Sequence, residues 1–163
     1  MKKIIFDLKT VSSGFTLTEL ILVILLIGIF ASVGLVRTRD GIVAIRTQVA
    51  IDQLTADIDL LRSMAFARHD TLTMVFSTAN DSYTVYTGPD GSRSAATDFS
   101  NSVSGVVSFQ NASFANVDIT AVSFGGQPEI QFLPLGDLKS GGTITINTHT
   151  ITLQDLTGKW SIN

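Results

Sequence analysis

The side chains in this sequence that could do chemistry are few and widely spaced. Two histidines, His69 and His149, stand alone, outside any HExxH, GxSxG or Walker pattern and without the spacing of metal ligands. There is no cysteine among the 163 residues, which excludes thiolate zinc sites, a Cys nucleophile and thiol redox control. The carboxylates are scattered singly, as on a solvated surface. Asp81 and Asp90 flank a hairpin and could approach a calcium ion, but no Asp-x-Asp-x-Asp loop accompanies them. No catalytic residue, metal or other cofactor is therefore assigned. What remains is Glu19, the one formal charge in the 22 residues from Phe15 to Val36. A carboxylate at membrane depth costs on the order of 2.5–3.5 kcal/mol on insertion scales, so one that is kept there points to a role. The chemistry open to it is pairing with a positive group.

Composition bounds the elements that must hold these residues. The chain is 45% hydrophobic and 15% charged, with eleven Lys+Arg against fourteen Asp+Glu. That excludes a disordered tail and a collagenous fibre, and the sign of the charge disfavours a strongly basic nucleic-acid module. The length suits one domain with an appendage. A mean hydropathy of +0.36 is high for a soluble domain, and Phe15–Val36 accounts for it. About 20 apolar residues of helix cross a hydrocarbon core roughly 30 Å thick. Lys2, Lys3 and Lys9 with Asp7 precede this segment, and Arg37, Arg39 and Arg46 with Asp40 follow it, so charge alone leaves orientation open. A secretory signal peptide or a simple anchor is one reading. Ala31-Ser32-Val33-Gly34 offers a cut site, but the long n-region and Glu19 suit that reading poorly. Gly28 and Ser32 form a small-xxx-small pair for close helix approach, against the general abundance of glycine in membrane helices. Gly34 and Gly41 weaken the helix further.

The helical pattern continues past Arg37 without a proline. Ile45, Val49, Leu54, Ile58, Leu61 and Ala65 read as one apolar stripe, and Asp52, Asp57, Asp59, Arg62 and Arg68 as the other face. This predicts one helix from Phe15 to about Arg68, roughly 80 Å long, apolar all round in its first half and amphipathic in its second. His69 at its end suits the C-terminal dipole, and His149 falls in an exposed strand connection. Beyond His69 the period becomes two. Thr71–Phe76 and Tyr83–Thr87 read as strands paired across Asn80-Asp81, followed by a Gly88-Pro89-Asp90-Gly91 turn and a surface loop over Ser92–Ser104. Further strands are expected at Gly105–Phe109, Val117–Phe124, Glu129–Leu133, Thr143–Asn147, Thr150–Leu153 and Lys159–Ile162, with Trp160 in core or hairpin packing. The fold class is α+β: a long N-terminal helix packed on a β-rich antiparallel head.

The junction before the apolar segment carries a more specific signal. Ser13-Gly14-Phe15-Thr16-Leu17-Thr18-Glu19-Leu20, followed by Ile21-Leu22-Val23-Ile24, closely resembles the class III signal of type IV pilins. The resemblance implies cleavage between Gly14 and Phe15 by prepilin peptidase and N-methylation of Phe15. It also implies a role in filament assembly for Glu19, the fifth residue after the cut. It orients the chain as well, with leader 1–14 cytoplasmic, 15–36 a single inner-membrane span and filament core, 37–68 the amphipathic continuation, and head 69–163 outside. Val36 stands where many major pilins carry a proline.

The head narrows the resemblance. The Phe132-Leu133-Pro134-Leu135-Gly136 segment, the closing Thr-Ile-Thr-Ile, Ile-Thr-Leu and Thr-Gly-Lys-Trp stretches, and the missing C-terminal disulfide are similar to the GspH/FimT family of minor pseudopilins and minor pilins. That resemblance implies a structural minor subunit of a type II secretion pseudopilus or a type IV pilus, partnered by prepilin peptidase, other pilin-like subunits and the inner membrane. The alternative is a pilus-tip binding module for adhesion or DNA uptake. Some members bind DNA through basic residues near the C-terminus. Here Lys159 stands nearly alone on a head with three bases after Arg68 against eight acids. No nucleic-acid partner is expected.

Overall fold

The computed structural model describes residues 14–163, apart from the side chains of residues 33–40. The leader residues Lys2, Lys3, Asp7 and Lys9 lie outside the described residues, as do the side chains of Val33, Val36, Arg37, Arg39 and Asp40. Helix α1 spans Leu17–Arg68, close to the expected extent. The chain divides into two units, Met1–Asp40 and Gly41–Asn163.

In the first unit, α1 presents large apolar side chains on every side. Leu20, Ile21, Leu22, Ile24, Leu25 and Phe30 are each more than half exposed. Among the described residues no helix is long and apolar enough to cross a membrane; the apolar sequence runs on into 33–36.

The second unit is a helix segment and two antiparallel sheets. β1 (Leu72–Ser77) and β2 (Ser82–Thr87) form the expected hairpin, Leu72 opposite Thr87. β6 (Glu129–Phe132) pairs with the other edge of β1. The outer edge of β2 is shared by β3 (Ser94–Ala95) and β4 (Val106–Ser108). The second sheet runs β5-β7-β8-β9, from β5 (Ile119–Phe124), β7 (Gly142–Ile146), β8 (His149–Leu153) and β9 (Trp160–Ile162). Alternation puts Leu72, Met74, Phe76, Ile144, Ile146, Ile151 and Leu153 inside. Thr73 is buried as well, because its face of the sheet is covered by Gln131, whose amide donates to Thr73 Oγ1 at 3.1 Å.

The expected helix stripe needs correcting. Leu54, Ile58, Leu61 and Ala65 are wholly buried, but Ile45 and Val49 are 66% and 50% exposed. Nine residues, two and a half turns, separate Val49 from Ile58, so the two groups fall on opposite faces. Thr47, Ala50 and Ile51 complete the buried face instead.

Asp57 is a second correction: it is buried, not on the polar face. Tyr83, fully buried on β2, donates its hydroxyl to Asp57 Oδ2 at 2.5 Å. The phenol sits in an aromatic cluster, its ring 5.7 Å from Phe76 and 5.9 Å from Phe109. Burial pushes the Asp57 carboxyl above its ordinary range, with the hydrogen bonds from Tyr83 and Gln53 acting against it. A carboxyl raised in the fold binds its proton more tightly there than in the unfolded chain. Its contribution to stability is present at low pH and is lost as pH rises through its folded value. Asp57→Asn removes this contribution but keeps an acceptor for Tyr83. The variant is expected to be at least as stable as wild type at pH 7, and to lose stability more steeply on acidification towards pH 4. Denaturant melts followed by the fluorescence of Trp160, the chain's one tryptophan, check both; equal acid limbs would remove Asp57 from the account.

The stretch Ser92–Ser104 is also not simply a surface loop. It contains β3, and it buries Ala96 and Phe99. The hydrogen-bonded turn before it closes from Ser92 N to Pro89 O, one residue later than the sequence pattern placed it. Gly88 enters that turn at φ +96°, where a side chain would be strained and would press on the Ser92 carbonyl.

Candidate functional site

The start of α1 is built from a few adjacent residues. Thr16 precedes the first helical residue, and its Oγ1 accepts from Glu19 N–H at 3.3 Å while its carbonyl accepts from Leu20 N–H at 3.1 Å. This is an N-cap, and it explains why the helix begins at Leu17 and not at Phe15. Glu19 lies in the first helical turn, where negative charge opposes the positive end of the helix dipole. It is exposed, and its carboxylate accepts no hydrogen bond among the described residues.

Gly14 and Phe15 lie before the cap, in non-helical and exposed chain. Phe15 is 75% exposed. A β-carbon built on Gly14 would meet nothing within 4 Å. Among the described residues nothing covers the Gly14–Phe15 bond, and nothing demands glycine at position 14. Phe15 and Glu19, four residues apart, share a face when the helix is extended back to Phe15. The candidate triad of Gly14, Phe15 and Glu19 thus combines an exposed stretch of non-helical chain, a glycine within it, and a carboxylate one turn later that has no partner among the described residues. From Leu20 to Phe30 every residue after that carboxylate is apolar or glycine.

The other polar residues singled out from sequence are spent on structure. Asp90 accepts from Arg93 Nη2 and Gln131 Nε2, each at 2.5 Å, and from Lys139 Nζ at 3.1 Å. These donors, with Gln131 contributing most, hold its carboxyl well below the usual range. Arg93 also grips Glu129 with both terminal nitrogens, at 2.7 and 2.9 Å, and this pairing lowers the Glu129 carboxyl and raises the guanidinium. The ion cluster ties the Pro89–Ser92 turn to β6. Asp81 accepts from Ile119 N–H at 3.0 Å and so joins the β1–β2 turn to β5. Asp90 thus uses both carboxylate oxygens in these contacts, and Asp81 uses Oδ1. Among the described residues no three His, Asp or Glu side chains converge as a metal site would require.

His69 ends the helix at φ 50°, exposed, with its ring 6.2 Å from that of Phe66. His149 opens β8 with Nδ1 3.5 Å from the Thr148 hydroxyl. Trp160 is half-buried and donates its indole N–H to Asp59 at 3.3 Å. Sequence reasoning missed the Asp57–Tyr83 pair and the Asp90–Arg93–Glu129 cluster. For the second, the clue was the density of polar residues around Pro89, which read equally well as a solvated loop.

The profile of a protein family described as "Type II transport protein GspH" matches residues 50–162. No curated protein matches the chain. No solved structure matches it either.

Proposed function

Since the chain belongs to the GspH family of type II transport proteins, we propose that it is a structural minor pseudopilin that is processed, anchored and assembled through the start of α1. Prepilin peptidase cuts between Gly14 and Phe15, and the new Phe15 amine is methylated. Segment 15–36 holds the subunit in the inner membrane by a single pass, with the leader cytoplasmic and the head 69–163 outside. Segment 37–68 continues the helix, and the subunit then joins other pseudopilins in a filament. The observation that carries this reading is the sharp change at Thr16: an exposed, non-helical Gly14–Phe15 bond on one side, and a helix that is apolar all round on the other. Each large apolar side chain moved from water to lipid or to a bundle of like helices contributes about 1.5–3 kcal/mol. The family is structural, which fits a head whose polar groups pair with one another.

Glu19 tests the assembly step. Cleavage creates an amine one helical turn from this carboxylate, able to pair with Glu19 of its own chain or of a neighbour. An opposite pair at 4 Å is worth about 4 kcal/mol at an effective dielectric near 20, before desolvation. Removing one partner leaves the other buried, at a cost of about 3–5 kcal/mol. Glu19→Ala and Glu19→Gln are both expected to be cut after Gly14 but to crosslink poorly to neighbouring subunits. A glutamate that merely reaches water at the membrane edge predicts wild-type crosslinking from both variants, and that result would refute the assignment.

A further inference from the structure

Of the basic residues in Gly41–Asn163, three bind carboxylates: Arg68 pairs with Asp98 at 2.6 Å, Arg93 with Glu129 and Asp90, and Lys139 with Asp90. Arg62 and Lys159 have no carboxylate partner among the described residues, and they line the same groove. It consists of two hollows of about 500 and 440 Å³ that share Asp59 and Arg62. One hollow is closed by Lys159 and Trp160, the other by Phe66 and Leu135.

The cations are presented differently. Arg62 is held in place because its Nε donates to the Gly136 carbonyl at 3.2 Å. Its two terminal nitrogens have no hydrogen-bond partner among the described residues, which leaves the planar fork that matches a carboxylate. Lys159 offers a point charge across the groove. Beside them the apolar surface is open, with Phe66 60% and Leu135 68% exposed. Leu135 is carried on the segment that Arg62 pins through Gly136.

We infer that this groove seats a segment of a different protein chain in which one carboxylate stands between aliphatic side chains. Arg62 and Lys159 take the carboxylate, and Phe66 and Leu135 take the aliphatic neighbours. Charge complementarity selects this occupant. Arg62 and Lys159 exceed Asp59 by one charge, which a single carboxylate answers, whereas a polyanion would face a unit carrying six basic residues against eleven acidic ones. A second copy would bring the same acidic excess with it. That the partner is a fellow filament subunit rests on the function proposed above; its chemistry rests on the groove alone.

The test places a photo-crosslinking residue at Leu135 of the full chain, in the cells that make it, with Thr148 on the β7–β8 turn as the control position. The expected product joins Leu135 to a peptide of another protein that contains Asp or Glu beside aliphatic residues. Lys159→Glu and Arg62→Glu should each lower its yield about tenfold or more, as reversing one charge of a close interfacial pair does. Replacing the partner's carboxylate by Arg should restore the yield in the Lys159→Glu background. Lys159 is exposed and its side chain holds no element in place, so its variant reads the groove even if Arg62→Glu releases the Gly136 segment. The inference is overturned by no product at Leu135, by a product with nucleic acid, a second copy or a peptide lacking an acidic residue, or by yields that ignore both charge reversals. Leader removal is scored in the same strains. If the leader is cut and the crosslink fails, the inference alone falls; if the leader stays on, the proposed function falls.

Discussion

Replacing Gly14 by tryptophan is expected to leave the leader on the chain, with no detectable mature form and the amino terminus still at Met1. Under the proposed processing, the cause lies in the peptidase's fit to the residue before the cut. Among the described residues a side chain at position 14 meets nothing within 4 Å, and residues 41–163 form a unit of their own. The variant should therefore accumulate as a folded precursor with unchanged head stability. Gly14→Ala, adding one methyl group, should be cut at a reduced rate. Intact mass and terminal sequencing of the membrane fraction decide the matter. A wild-type chain beginning at Leu35 would favour an ordinary signal peptide, and a Gly14→Trp chain beginning at Phe15 would remove the small-residue requirement.

The largest effect on stability is expected at Gly142. This residue pairs with Phe124 on β5 and with Leu153 on β8, so it is flanked within the sheet on both sides. A β-carbon there would overlap the Ser123 carbonyl oxygen and come within 2.5 Å of Phe124 Cδ1. Overpacking costs typically 1–3 kcal/mol where side chains can yield. Here the obstacle is a backbone oxygen held in a ladder, so Gly142→Ala should lose about 3 kcal/mol or more, a large share of the roughly 5–15 kcal/mol by which domains are stable. Gly91→Ala is the matched control. Its β-carbon would meet nothing and its φ is not positive, so a change near zero is expected. Denaturant midpoints from Trp160 fluorescence compare the two; similar midpoints would mean that β5 and β7 can separate without loss.

What could be read from the sequence was local. The start of the helix is legible to within two residues because the apolar run after Glu19 is unbroken, but the Thr16 cap that sets it at Leu17 was not anticipated. The β1–β2 hairpin is legible because Leu72, Met74 and Phe76 alternate and Asn80-Asp81 separates them from the next run. The helix face was misread because apolar residues occupy both sides of it. Ile42, Ile45 and Val49 look outward while Ala50, Ile51 and Leu54 look inward, and a search for one stripe joins halves of two. Asp57 could not be placed, because what makes its burial tolerable is a hydroxyl 26 positions away on β2. The role of Arg93 in the Ser92–Ser104 stretch is hidden for the same reason: its partner Glu129 comes 36 residues later.

The pairing of β1 with β6 sets a condition on the newborn chain. Leu72 lies opposite Phe132, sixty residues further on, so the first sheet cannot close until that much more of the polypeptide has been made. Long-range pairing of this kind is slow because loop entropy is lost before any contact rewards it. Meanwhile the face of α1 from Ala50 to Ala65 has already been synthesised, and the strands that cover it are incomplete. Exposed apolar surface and unpaired strand edges are the features that make nascent intermediates stick to one another. A chain cut short before Phe132 is therefore not a smaller head but a helix whose apolar face is only partly covered.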